Sequence, residues 1–246
     1  MNIDAYNHII DTIEPILNQK SFSFDDELGY FKNDSTAYRV AFIEEKNLFE
    51  LQRCELDEEK KAGDEWNTLS SWLFLPDYTV KDAKSIANDF TDTLQNNFGL
   101  KQKVNVNRSA LPEKGSKDEC SVNTLTARFL TIFPQFKEEY QKYVTSTGVF
   151  LYAKFYSEIG APHLRELLAN KDKKRLEKYF DTLNHHYCEG DKEVRSLVSS
   201  LIMVEAIGND NDILEIANAY MQDYKYLLNA TDFSLKLYKK GLAKNA

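Results

Sequence analysis

Glycine, proline and cysteine are all scarce in this 246-residue sequence, at nine, five and three residues. No two glycines lie closer than 12 residues. Loops that cradle phosphate bring backbone N–H groups against the anion and need clustered glycines, so dinucleotide-binding and P-loop chemistries are excluded. Collagen-like and low-complexity compositions are excluded as well. Cys54, Cys120 and Cys188 stand 66 and 68 residues apart and form no CxxC pair, which removes zinc-ribbon and thioredoxin-type readings. An odd, sparse thiol count fits a reducing compartment and predicts no disulfide. HExxH, GxSxG and a complete EF-hand loop are missing too. There is no apolar run of about 18 residues, and Asp4, His8 and Asp11 interrupt the N-terminal stretch where a signal-peptide core would lie. The sequence therefore predicts a soluble cytoplasmic protein without a membrane segment or a cofactor.

Hydrophobic residues make up 42% of the chain and charged residues 28%, a balance that supports a globular core. The formal charge of −8 is concentrated at one end. Residues 1–118 hold 14 Lys and Arg against 22 Asp and Glu, whereas residues 119–246 hold 17 of each. An acidic surface repels phosphate backbones, which argues against nucleic acid and makes a basic protein the natural partner.

Periodicity predicts an α+β chain with an N-terminal antiparallel sheet flanked by helices, followed by an all-α helical bundle or HEAT-like stack. Ile3, Tyr6, Ile9, Ile10, Ile13, Ile16 and Leu17 recur at helical spacing, with Pro15 set to kink or fray the last turn. Between Phe22 and Leu56 the period changes to two, with turns at KNDS (32–35) and EEKN (44–47). WNTLSSWLFLP follows as a further strand or buried ledge. Thr79 then caps a helix with Asp82 three residues on, ending at Gly99. KVNV at 103–106 offers a last strand. These readings give domains at 1–106 and 121–246, joined by a linker at 107–120 that contains NRSALPEKGSKDE. Beyond Ser121 the segments read as helices, punctuated by Pro134, Gly148, Gly160, Pro162, Gly190 and Asp191. DND at 210–212 reads as the acidic N-terminus of a helix.

The constellations that bear on chemistry are few. His185, Cys188 and Glu189 fall at i, i+3 and i+4 and present a weak candidate metal set without a fourth ligand. His186, beside the stripe of Leu183 and Tyr187, reads more plainly as a hydrogen-bonded interior histidine. Glu205 follows LIMV on the stripe of Val198, Leu201 and Ile202, so it should be at least partly buried and paired, with Arg165, Arg175 or Arg195 as partners within reach. His186, Tyr187 and Glu205 are thus the candidate ligand-binding residues, and no catalytic residue is assigned. The nine aromatics from Phe129 to Tyr156 fill two consecutive helical segments and should be mostly core. Tyrosines left on a surface would serve as partner-binding anchors. Lys236, Lys239, Lys240 and Lys244 complement the end of a helix dipole.

FPQFKEEYQKY (133–143), GDKEVRSLV (190–198) and VEAIG (204–208) together resemble a family of uncharacterised bacterial helical domains. The resemblance covers about half the chain and implies no catalytic residue. The N-terminal order of elements is similar to small acidic α+β domains of the secretion-chaperone type. The resulting expectation is a non-enzymatic protein-binding module, immunity-like or chaperone-like. The alternative is an enzyme or a small-ligand or metal binder with its site in the helical half or at the domain interface.

Overall fold

The computed structural model describes residues 2–57, 59, 61–76, 78–100, 111–112, 119–145 and 148–245, with backbone alone for 241–245. By their contacts the residues divide into two compact units, Met1–Arg108 with Val144–Leu151, and Ser109–Tyr143 with Tyr152–Ala246. The strand expected at 103–106 and most of the expected linker lie outside the described residues. Among the described residues no helix is long and apolar enough to cross a membrane.

The first unit is an antiparallel sheet with two helices on one face. Its strands are β1 (Ser23–Asp25), β2 (Tyr30–Lys32), β3 (Thr36–Ile43), β4 (Leu48–Glu55) and β5 (Asn67–Leu73), paired in chain order. Their turns are built from the residues that favour them. Asn33 Oδ1 accepts from the N–H groups of Ser35 and Thr36, both at 2.9 Å, and Asn47 takes the left-handed conformation at φ 50°. Helix α1 (Ile3–Asn18) buries Ala5, Ile9, Ile13 and Leu17, a strict i+4 row, and holds Pro15 inside its last turn. Helix α2 (Val80–Asn97) begins in the expected Thr79–Asp82 capping box and buries Ala83, Ile86, Ala87, Phe90 and Leu94. Both rows close on Phe31, Tyr38, Val40, Phe49 and Leu51 from one side of the pleat. Gly99, at φ +66°, turns the chain out of α2, as its position implied.

The second unit is all helical: α3 (Val122–Ile132), α4 (Lys137–Lys142), α5 (Tyr152–Phe155), α6 (Ala161–Asn170), α7 (Lys173–Glu189), α8 (Lys192–Ser196), α9 (Met203–Ile207), α10 (Asn211–Met221) and α11 (Lys225–Asn245). Contacts join α3 to α7, α6 to α9 and α7 to α11. Helices distant in sequence therefore share one core, which is the bundle arrangement rather than a stack of neighbours.

Two expected helix ends are corrected. Gly160 ends no helix: α5, a π-helical turn at Tyr156–Gly160 and α6 run on without a break, with right-handed helical backbone on either side. The glycine is needed for packing, because a Cβ there would stand 2.5 Å from Cδ1 of the buried Tyr156 ring. Gly148, at φ +86°, lies in the turn spanned by the Val144–Phe150 bridge, well past the end of α4. The aromatic run consequently spreads over α3, the 3-10 turn Pro134–Phe136, α4, this bridge and α5 instead of two helices. Phe129, Phe133, Tyr140, Tyr152, Phe155 and Tyr156 are buried, as core residues should be. Gly190 and Asp191 behave as a stop and a start, with Asp191 capping α8 through the N–H of Val194 at 2.9 Å. A second π-helical turn, Leu197–Ile202, joins α8 to α9 and touches the first.

Candidate functional site

In the first unit a shallow groove is lined by Ser21, Ser23, Leu28, Tyr30, Lys32, Asn33, Asp34, Glu59, Lys61 and Ala62. Two turns shape it. Between β1 and β2 the chain reverses on Asp25, whose carboxylate accepts from the N–H of Leu28 at 3.2 Å and whose carbonyl accepts from that of Gly29 at 2.8 Å. The reversal leaves Leu28 53% exposed. The second turn is closed by the Leu56–Ala62 bridge, and within it Asp57 Oδ1 accepts from the N–H groups of Glu59 and Lys61 at 3.0 and 2.8 Å. Tyr30 is buried, its ring 5.7 Å from that of Trp66, and the Arg39 guanidinium lies 4.1 Å from the Trp66 ring centre.

The lining itself carries two lysines and two carboxylates, Asp34 and Glu59. Lys32 donates to Asp25 at 2.7 Å and Lys61 to Glu59 at 2.7 Å, so each lysine in the lining is answered by a carboxylate. The hydrogen bond from Lys32 holds the Asp25 carboxyl below its usual range. Residues 25–27 and 55–65 together carry nine Asp and Glu against two Lys. In the sequence, most of the net negative charge of residues 1–118 therefore falls in these two segments, of whose carboxylates Glu59 lines the groove. Sequence reasoning found the acidity but not its gathering, because the turns are about 30 residues apart and meet only through the pairing of β1 to β4. The same unit holds a polar chain that sequence reasoning missed. Arg39 Nε donates to Gln52 Oε1 at 2.7 Å, Gln52 Nε2 to Glu50 Oε2 at 2.6 Å, and the Thr68 hydroxyl to the same oxygen at 3.1 Å. Glu50 and Gln52 are buried. Their signal was the alternation of Glu50, Gln52 and Cys54 along β4, opposite the face that carries Phe49 and Leu51.

Of the residues singled out in the second unit, His185, His186, Tyr187, Cys188 and Glu189 stand on α7 and Glu205 on α9. His186 is fully buried, with Nδ1 2.9 Å from the Thr182 carbonyl and Nε2 3.3 Å from the Thr124 hydroxyl. The carbonyl can only accept, so Nδ1 carries the proton and Nε2 faces the Thr124 hydroxyl unprotonated. Burial lowers the imidazole pKa to about 4, keeping the ring neutral. His185, Tyr187 and Cys188 are half-buried and Glu189 is exposed. The Cys188 thiol donates to Asn184 Oδ1 at 3.7 Å, and its carbonyl accepts from Arg195 at 3.2 Å. Among the described residues no three His, Cys, Asp or Glu gather closely enough to hold a metal ion.

Glu205 is half-buried on α9. Of the arginines considered for it, Arg165 latches the turn after α9. It donates to the carbonyls of Ala206 and Ile207 at 3.0 and 3.1 Å and to Asp210 at 2.6 Å. Asp210 caps α10 through the N–H groups of Asp212 and Ile213, which is the role the DND string implied.

Residues 126–224, from within α3 to just past α10 and less than half of the chain, match a family described as a domain of unknown function (DUF7674). Comparison with curated proteins and with solved structures gives no match.

Proposed function

We propose that this chain is a non-enzymatic protein-binding module, an adaptor of the immunity-like or chaperone-like kind, whose first unit takes a basic segment of a partner protein. The observation that supports this reading most is the groove that the exposed Leu28 and the buried Tyr30 line together with Asp34 and Glu59, between two turns rich in Asp and Glu. An exposed aliphatic side chain next to acid-rich turns suits a segment that alternates cationic and apolar residues. The carboxylates steer and orient such a partner, while Leu28 and the groove floor supply apolar contact. The three free thiols agree with action in a reducing compartment such as the cytoplasm.

The test is capture from host lysate on the immobilised full chain, beside a variant carrying Asp26→Lys, Glu27→Lys and Leu28→Ser. The expected result is one stoichiometric basic protein, released by high salt and absent from the variant. A partner held equally by both chains, or no partner on either, overturns the reading.

A further inference from the structure

A second surface lies on α11, whose 21 residues extend about 30 Å at the usual helical rise. Leu227, Thr231, Ser234 and Leu235 are buried. The opposite side of the helix carries Tyr226, 75% exposed, and Phe233, 60% exposed. Among the described residues they are the aromatic members of the set of large exposed apolar residues, whose other members are aliphatic. Single exposed apolar residues are ordinary on a protein surface. Two aromatics two turns apart on one helix face, about 10 Å from each other, form a patch. The half-exposed Ala230 and Leu237 and the exposed Lys240 continue it, so positions 226, 230, 233, 237 and 240 follow the three-and-four spacing of a helix-pairing seam.

We propose that this seam pairs with the same seam of a second copy of the chain, antiparallel, about a two-fold axis through Phe233. The spacing about Phe233 makes the seam complementary to itself, and the charge along it sets the orientation. Seven residues separate Phe233 from Tyr226 on one side and from Lys240 on the other, so an antiparallel partner sets the Tyr226 ring of one copy against the Lys240 ammonium of the other, a cation–π contact. The two Phe233 rings meet at the axis. Exposed Lys236, Lys239 and Lys240 crowd the C-terminal half of the seam, whereas at its N-terminal end exposed Lys225 is offset by exposed Asp223, with half-buried Asp232 toward the middle. Antiparallel pairing sends each lysine group to the less basic end of the other helix. Parallel pairing would stack the two groups against each other. The contact is isologous and closes at two copies. One helix pair buries less than the roughly 1,200 Å² at the lower end of stable interfaces, so the dimer is reversible and depends on concentration. This surface and the groove of the first unit are independent of each other.

Sedimentation equilibrium of the full chain over a concentration series tests the pairing. A reversible monomer–dimer equilibrium is expected. Tyr226→Ser should weaken it about tenfold, and Phe233→Glu, which puts two carboxylates at the axis, should abolish it while the far-ultraviolet spectrum and melting curve stay unchanged. Under mild oxidation Phe233→Cys should cross-link with itself beyond the background of the native thiols. Tyr226→Cys mixed with Lys240→Cys should cross-link, and neither should do so alone. Monomer at every concentration, or a dimer indifferent to Phe233→Glu, overturns the proposal. So does self-linking of Tyr226→Cys. Monomer that binds anionic vesicles through Tyr226 and Phe233 overturns it too, and gives the stripe to a lipid surface.

Discussion

His186 shows how much one buried ring can decide. Its neutral form donates Nδ1–H to the Thr182 carbonyl and sets Nε2 against the Thr124 hydroxyl, a contact between α7 and α3. A proton added to it has no solvent to spread into. The folded-state pKa of about 4 lies below the usual 6.5, so the unfolded chain binds that proton first. The stabilisation is complete above the unfolded pKa, fades as pH falls through the interval down to the folded one, and levels off below it. The full loss is on the order of 3 kcal/mol. Urea denaturation across this range should show the decline, and an NMR titration should place the His186 ring near 4. A ring that titrates at the ordinary histidine value, with flat stability, would contradict this account. The role of this side chain was legible in the sequence, because an apolar stripe through Leu183 and Tyr187 leaves a histidine between them little but an interior place. The partner Thr124 was not legible, since it lies 62 residues away on another helix.

At the scale of elements, local chemistry was read well where a single residue type enforces it. Thr79 with Asp82, Gly99, Asn33, and the Gly190–Asp191 pair all sit where their backbone or side-chain demands put them. The two π-helical turns were not legible, because nothing in YSEIG or LVSSLI breaks a helical pattern. The extra residue in each turn shows only once Tyr156 must lie on Gly160 and the two turns must touch. Gly160 therefore read as a helix end when its task is to leave room for a ring. A π turn carries one residue more than an α turn, whereas in α6 each residue sets the azimuth of all that follow by 100°. Deleting Glu158, exposed in the first π turn, should relax that turn to α-helix and keep Leu164, Leu167 and Leu168 in the core, at the loss of the 2.8 Å hydrogen bond from Tyr143. Deleting Glu166 from α6 should swing Leu167 and Leu168 toward water and unfold the unit. Circular dichroism melts of the two deletions compare these outcomes directly, and equal damage from both would count against the π-turn reading.

For the whole molecule, the division of the chain into two compact units with separate cores predicts two unfolding transitions rather than one. Differential scanning calorimetry should resolve them, and a single transition with matching calorimetric and van't Hoff enthalpies would show the units to be one cooperative body. The acidity noticed in the first 118 residues now has an address, the turns at 25–27 and 55–65. Composition alone could announce the charge, while only the pairing of strands β1 to β4 could bring its two sources to one groove. Acidification reaches the two units through different groups and in different ranges. In the second unit protons compete for the buried imidazole from the usual histidine range downward, whereas in the first the Asp25 carboxylate, held below its usual range by Lys32, yields its hydrogen bond only in stronger acid. The melting of the second unit should therefore fall first, and the separation between the two calorimetric peaks would serve as a built-in pH gauge, each half of the chain acting as the other's reference.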